Sequence, residues 1–187
     1  FDDIDMAMQM HSSKKTPEPT VAVGTSSNGF VGKTIQYVGR SAHAADAPDQ
    51  GINALNAAML GIMGINSLRE TFRDEDAIRV HPIITKGGDL VNNVPDDVRI
   101  ETYVRAKTME AIEKTHKKVD AALRAGGMAI GAEVHIDTMP GHLPLVCNAT
   151  LNELLVENAK EAFPSVKIIN AGHFSASTDM GDVSHLM

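Results

Sequence analysis

Along the middle of the chain, a stretch with the two-residue alternation of a strand is followed by one in which apolar residues recur at helical spacing. Val31, Lys33, Ile35 and Tyr37 take every second position of the first alternating stretch. This predicts a β-strand over 30–38, because successive side chains of a strand point to opposite faces. Apolar residues then recur every three or four positions, which predicts an amphipathic helix over 51–72. The face of this helix that we expect to be buried carries Ile52, Leu55, Met59, Ile62 and Met63.

Further elements are predicted between residues 79 and 138. They are strands over 79–85, 98–104 and 133–138 and a helix over 109–125. Pro82 has no N–H for a ladder hydrogen bond, so the second strand is expected to lie at an edge or to be interrupted there. Thr108 is the expected N-cap of the helix. Gly126 and Gly127 can end that helix, although it can also run on toward Gly131.

The order of these elements, β-α-β-β-α-β, indicates an α+β fold of the ferredoxin-like type. We expect a four-stranded antiparallel sheet with two helices on one face, forming one domain over 30–143. The flanking segments, 1–29 and 144–187, are expected to belong to a different domain. They carry a predicted buried strand over 3–10, a loop over 12–20, a helix over 151–162 with Thr150 and Glu153 as its capping box, and a short strand over 166–169.

Composition and charge exclude several classes of function. The 187 residues carry a formal net charge of −7 without a long basic run, so nucleic acid is not an expected partner, because phosphate binding needs clustered cations. No apolar stretch reaches the length of about 18 residues that indicates a membrane span. The single cysteine, Cys147, cannot form an internal disulfide, which favours a cytoplasmic protein, and we expect it to be buried. Phe1 in the place of an initiating Met suggests a cut or processed chain.

Three groups of polar residues are candidates for chemistry. His11 follows the first predicted strand, at a strand end where α/β proteins often bind metals, although a surface histidine is the alternative. His43 lies in a loop of small residues, 39–45, that lets a ligand approach its ring closely. Asn93 lies in a turn-rich stretch. Arg105 lies on the strand face away from the helices, where its planar guanidinium suits a carboxylate and a solvated strand face is the alternative.

Together these groups resemble a known family. The segments GRSAHAADAPDQGINAL, GGDLVNNVPDD with Arg105, and STDMGDVS are similar to those of the M20 metallopeptidases, most of all the amidohydrolases of aminobenzoyl-glutamate and amino-acid conjugates. The resemblance covers nearly the whole chain. It implies that 30–143 is a lid and dimerisation domain inserted into an α/β catalytic domain, to which 1–29 and 144–187 belong.

The resemblance implies a metal-assisted hydrolysis of an amide bond. His11 corresponds to a metal ligand ahead of the lid, and the full site of the family holds two divalent ions, Zn or Mn, that activate a water. His43 corresponds to a catalytic lid histidine that reaches the active site of the neighbouring subunit and polarises the scissile carbonyl. A histidine that acts in this way requires a homodimer formed through the lid.

The resemblance also implies a substrate. Asn93 and Arg105 correspond to lid residues that hold it, with Arg105 binding a carboxylate. Thr178 and Asp179 correspond to a loop that lines the substrate pocket. The expected substrate is therefore an N-acyl amino acid, an aminobenzoyl amino acid or a small peptide.

This sequence departs from the family in its metal ligands. It contains no Glu-Glu pair, which supplies the family's general base and one ligand, and the other ligand motifs are missing as well. Because a zinc ion needs about four donors, we expect the 187 residues alone to bind no metal tightly and to be inactive. Two alternatives from other classes stay open: a stand-alone ferredoxin-like module that binds or senses a small molecule, and a purely structural dimerisation domain.

Overall fold

The computed structural model describes residues 3–12 and 18–186. The predicted loop over 12–20 lies mostly outside them. The strands are β1 (Thr20–Val23), β2 (Ser26–Ser27), β3 (Gly29–Val38), β4 (Arg79–Val80), β5 (Ile83–Lys86), β6 (Asp97–Ala106), β7 (Glu133–Pro140), β8 (Lys167–Asn170) and β9 (His173–Phe174). The α-helices are α1 (Ala54–Leu68), α2 (Met109–Ile130), α3 (Ala149–Ala162) and α4 (Met180–Val183).

An antiparallel sheet with the order β4-β6-β3-β7 occupies the middle of the chain, and β5 pairs with β6 beside β4. The two central strands pair along all ten residues, from Gly29 opposite Ala106 to Val38 opposite Asp97. The strand order and the two helices confirm the predicted α+β, ferredoxin-like fold.

The predicted strand over 79–85 is divided at Pro82 into β4 and β5. Val80 lies opposite Val104 and Ile83 opposite Glu101, so the pairing register is the same on both sides of the break. Proline cannot donate the ladder hydrogen bond, which explains why the edge strand is interrupted without being displaced.

Both long helices cover one face of the sheet and pack against each other. The core between them combines alternate residues of the central strands with one face of each helix. Its fully buried members include Ile35, Tyr37, Val98, Ile100, Val104, Ala57, Ala58, Ile65, Val119 and Leu123. Tyr37 donates a hydrogen bond from its hydroxyl to the carbonyl of Leu123, at 2.8 Å, and burial raises the pKa of this phenol.

The predicted buried face of α1 was right in part, since Ile52, Leu55 and Ile62 pack against the core, but wrong for its two methionines. Met59 and Met63 are 50% and 61% exposed, while the buried face is made of small residues with one larger one: Ala54, Ala57, Ala58, Gly61 and Ile65. The reason is the close approach of the two helices, since a Cβ on Gly126 of α2 would lie 2.9 Å from the Cα of Gly61. Only the faces with the smallest side chains fit into that contact.

Lys33 occupies a core position of β3 and is 2% exposed. Its ammonium lies 2.7 Å from a carboxylate oxygen of Asp120 and donates to the Thr138 hydroxyl, also at 2.7 Å. A third neighbour is the ring of His116, at 3.4 Å. A buried cation requires such partners, because its desolvation is costly.

The helix ends follow the expected rules only in part. Thr108 caps α2 by accepting a hydrogen bond from the amide of Ala111, as predicted. The helix continues to Gly131, which adopts the left-handed conformation at a φ of 83°. In α3 the N-cap is Asn148, which accepts from the amide of Leu151, so the predicted capping box at Thr150 was wrong.

The flanking segments come together through two pairs of short parallel strands, β1 with β8 and β2 with β9. The predicted strand over 3–10 was wrong: these residues have no regular structure, and their methionines are exposed. A strand needs a neighbour for its backbone hydrogen bonds, and none of the described strands pairs with this segment. Cys147, expected to be buried, is exposed. Among the described residues, no helix has the length and apolar character to cross a membrane.

Candidate functional site

The loop that carries His43 is held to a second loop by backbone hydrogen bonds. His43 and Asn93 form an antiparallel bridge. On either side of it, the amide of Val94 donates to Ala42 at 2.9 Å and that of Ala44 donates to Asn92 at 2.8 Å. Asn93 is half-buried and His43 is exposed. His43 and Asn93, which the sequence analysis singled out from different segments, are therefore adjacent.

The ring of His43 has a defined orientation and protonation pattern. Its Nδ1 accepts hydrogen bonds from the amides of Ala45, at 3.3 Å, and Asp46, at 3.1 Å. Because an N–H group donates only to an unprotonated ring nitrogen, the proton of the neutral imidazole lies on Nε2. Nδ1 thus faces its own loop, and the opposite edge of the ring presents an N–H donor.

Arg105 lies near the other end of the sheet, opposite Phe30 of β3. The centre of its guanidinium lies 4.8 Å from the ring centroid of Phe30 and 5.1 Å from that of Tyr103, which is within the range of a cation–π contact. Its Nη1 donates to the hydroxyl of Ser177 at 2.6 Å. The residue is thus held in place, and within the described part of the chain no carboxylate forms a salt bridge with it.

Thr178, Asp179 and His11 lie in the flanking segments. Thr178 donates from its hydroxyl to the side-chain oxygen of Gln9, at 3.2 Å, and lines a cavity of about 300 Å³. Asp179 is exposed at the start of α4, and His11 is exposed as well. Over 3–12 and 18–186, no three His, Cys, Asp or Glu side chains are close enough to hold a metal ion. These residues therefore do not by themselves fit the two-metal site that the resemblance implies.

The pair His43–Asn93 and the residue Arg105 lie at opposite ends of the sheet. Arg105 is paired with Phe30, whereas Val38, eight residues further along β3, leads into the His43 loop. At about 3.3 Å per strand residue, the two ends are separated by roughly 26 Å. One copy of this chain does not bring these groups to a common small-molecule substrate.

His142 and His173 join distant segments by hydrogen bonds and were not singled out from the sequence. His142 Nδ1 donates to Asp182 at 2.8 Å, and the other oxygen of Asp182 accepts from the amide of Leu143 at 2.8 Å. These hydrogen bonds, that from Leu143 first, lower the pKa of Asp182. The partners are 40 positions apart in the chain, and no local pattern connects them.

The second histidine is His173. It accepts from the hydroxyl of Ser26 at Nδ1 and donates from Nε2 to Asn28, each at 2.9 Å. Desolvation, with smaller contributions from the charges of Lys107 and Arg79, lowers the pKa of His173. The cluster joins β2 to β9.

Comparison with known proteins identifies the family. Residues 25–129 match the peptidase dimerisation domain of the M20 family. The chain therefore belongs to the M20 peptidase family. It is 31% identical to the Xaa-Arg dipeptidase of Mus musculus over 193 residues, which cover 100% of the chain and 42% of that protein. It is 29% identical to a p-aminobenzoyl-glutamate hydrolase of Escherichia coli, over 85% of the chain and 31% of that protein. The chain thus spans less than half the length of these relatives.

Solved structures show the same fold. The aminobenzoyl-glutamate utilization protein of Klebsiella pneumoniae superposes with a TM-score of 0.74 over 94% of the chain and 46% of that protein, at 20% identity. A putative aminohydrolase of Staphylococcus aureus superposes with a TM-score of 0.73 over 90% of the chain and 44% of that protein, at 15% identity. At these identities the likeness establishes the fold alone.

Proposed function

We propose that this chain is the lid and dimerisation part of a metal-dependent amidohydrolase, in which His43 of one copy completes a site that contains Arg105 of the other. The substrate is an N-acyl amino acid or a small peptide with a free carboxylate. The relatives support this class, because the names Xaa-Arg dipeptidase, p-aminobenzoyl-glutamate hydrolase and indole-3-acetyl-aspartic acid hydrolase all describe an amide of an amino acid.

The orientation of His43 carries the proposal. An amide carbonyl gains negative charge on its oxygen as it is attacked, and a donor fixed in advance stabilises that charge. The amides of Ala45 and Asp46 hold Nδ1 of His43, so Nε2–H is available to donate to this oxygen. Asn93, whose backbone is bridged to that of His43, is proposed to bind the substrate beside it.

Arg105 is proposed to bind the substrate carboxylate. A guanidinium has five N–H donors in one plane, and of the described residues only Ser177 accepts a hydrogen bond from it. The free donors suit two parallel hydrogen bonds to a carboxylate. Thr178 and Asp179, which follow Ser177 directly, are proposed to line the same pocket.

A second copy of the chain is proposed to bind at the apolar side of the lid. A Cβ on Gly87 would lie 3.7 Å from the side chain of Ile84 and 3.9 Å from that of Leu55. Ile84, on the edge strand β5, and Leu55, on α1, are therefore close together. Met59 and Met63 extend this strip along α1, and Ile84 is 41% exposed. An unpaired edge with apolar side chains favours association. We propose that a twofold interface of this kind brings His43 of each copy to Arg105 of the other, so that one dimer contains two complete sites.

The remaining parts of the proposal rest on the family. His11 is proposed as one ligand of a two-metal site whose other ligands lie outside the described residues. A bound metal would supply an activated water; the chemistry assigned to this chain is the donation from His43 and the binding by Arg105. We also propose the division into 1–29, 30–143 and 144–187, and a cytoplasmic location in keeping with the single cysteine.

The test is the hydrolysis of N-acyl amino acids by the full-length protein that contains this chain. His43→Ala is expected to lower kcat about 10²- to 10³-fold, as the loss of an oxyanion donor does, while the dimer stays intact. His81→Ala, which removes another exposed histidine, serves as the matched control and should leave kcat unchanged. Full activity of His43→Ala would refute the proposal, and a wild-type protein that hydrolyses no such amide would favour a binding or purely structural module.

A further inference from the structure

Arg105 is surrounded by a cluster of side chains that neither the family match nor the proposed reaction assigns. Tyr103 and Arg105 are alternate residues of β6, and Phe30 lies opposite Arg105 on β3. All three therefore point to the face of the sheet away from the helices. The ring centroids of Phe30 and Tyr103 lie 4.7 Å apart at an angle of 55°, so the two rings form a bent surface beneath the guanidinium.

Phe30 is itself fixed from the other side. The ring of His142 meets it edge-on, with centroids 5.4 Å apart and planes at 83°. His142 is held by Asp182, which also binds the amide of Leu143. A Cβ on Gly141 would collide with the ring of Phe30, at 2.5 Å, so this glycine allows the ring to lie directly against the backbone.

These contacts connect Asp182 to Arg105 through His142 and Phe30. A guanidinium on a flexible side chain loses conformational entropy when it binds a carboxylate, and a rigid support reduces that loss. The aromatic faces also attract the cation from below and leave its N–H edges free.

We infer that Phe30, Tyr103 and the His142–Asp182 pair are positioning residues that hold the guanidinium of Arg105 and so determine selectivity for a substrate with a free carboxylate. This rests on the proposed function of Arg105 and extends it to four residues. The arrangement selects the carboxylate of an acyl amino acid over the corresponding uncharged amide, because only the carboxylate pairs with the oriented cation.

The experiment compares benzoylglycine with benzoylglycinamide as substrates of the full-length protein. Phe30→Leu is expected to raise KM for benzoylglycine about threefold to tenfold, the range of a lost cation–π contact. Asp182→Asn, which acts only through His142 and Phe30, is expected to raise it by a smaller factor. KM for the amide and kcat for both should change less than about twofold. Phe30→Tyr should restore the selectivity, and Thr34→Val, on the same sheet face but away from Arg105, is the control.

An equal change for both substrates, or no change for either, would overturn the inference. If the wild-type protein hydrolyses neither substrate, the proposed hydrolase function is refuted, but the inference about the residues around Arg105 is not. The inference is then decided by calorimetric titration with benzoylglycine. Weaker binding by Phe30→Leu than by the wild type supports it, and equal binding, or no binding by the wild type, refutes it.

Discussion

Gly61 of α1 and Gly126 of α2 lie against each other where the two long helices of the dimerisation domain pack together. A Cβ on Gly126 would lie 2.9 Å from the Cα of Gly61 and would also meet the carbonyl of Ala57. The contact fixes the distance between the helices, and with it the position of α1 on the sheet. It also determines which face of α1 is exposed.

Gly126→Ala should therefore destabilise the protein. Overpacking at such a contact costs about 1–3 kcal/mol, of which the better helix propensity of alanine offsets about 1 kcal/mol. Ala125→Leu adds a larger group at an exposed position of the same turn and should have no such cost. Urea denaturation of both variants checks this, and a Gly126→Ala protein as stable as the wild type would show that the helices are not in close contact.

The buried ion pair of Lys33 and Asp120 predicts that removing the carboxylate costs more stability than removing the ammonium. Asp120→Leu leaves the ammonium in the core without its carboxylate and should lower the free energy of unfolding by about 3–5 kcal/mol. Lys33→Met leaves Asp120 with access to solvent, since its side chain is 25% exposed, and should cost less. The double variant should recover most of the loss, because an apolar pair can replace a buried ion pair. Additive losses in a double-mutant cycle by urea denaturation would contradict this account.

His173 predicts a loss of stability at mildly acidic pH. Its pKa is lowered in the folded protein from the ordinary value of 6.5, so the unfolded chain binds the proton more tightly. The contribution of His173 to stability is complete above about pH 6.5 and falls as the pH drops through the lowered pKa. His173→Gln should remove this part of the pH dependence. Urea denaturation at about pH 8 and about pH 5 measures the effect. If the free energy of unfolding decreases by the same amount between these pH values in both proteins, His173 is not the source of the pH dependence.

The apolar strip on α1 and β5 predicts the effect of a charge on assembly. If the proposed dimer forms through this strip, Met63→Glu should raise its dissociation constant about tenfold or more, because the carboxylate must be desolvated in the interface. Met128→Glu places the same charge at a methionine of α2 that is 80% exposed and should leave assembly unchanged. Sedimentation equilibrium measures the dissociation constant for both variants. Weaker assembly of Met128→Glu, with Met63→Glu unchanged, would show that the interface lies on α2.

The sequence predicted the sheet better than the way its helices pack. The residues of 98–104 alternate strictly, and in β6 the apolar set Val98, Ile100 and Val104 is the buried one, because a strand has only two faces. The helical spacing in α1 wrongly put Met59 and Met63 on the buried face, because they continue the same spacing as Leu55 and Ile62, which do pack against the core. The distance between helices, set by Gly61 and Gly126, decides which side chains fit, and that distance is not encoded locally.

The candidate site was predictable where a motif is local. His43 and Asn93 were singled out from separate segments, and the structure places them side by side. Phe30 could have been found by aligning β3 with β6, which puts it opposite Arg105. The contact of His142 with Asp182 depends on how the chain folds back after β7, and no spacing in the sequence indicates it.

Complementation between two inactive variants of the full-length protein tests the central claim most directly. Co-expressed His43→Ala and Arg105→Ala chains form mixed dimers in which one site has both native residues and the other has neither. Random pairing should then restore about one quarter of the wild-type hydrolysis rate, since half of the dimers are mixed and each has one intact site. Activity no greater than that of the separate variants, with mixed dimers present, would contradict a site shared between two copies.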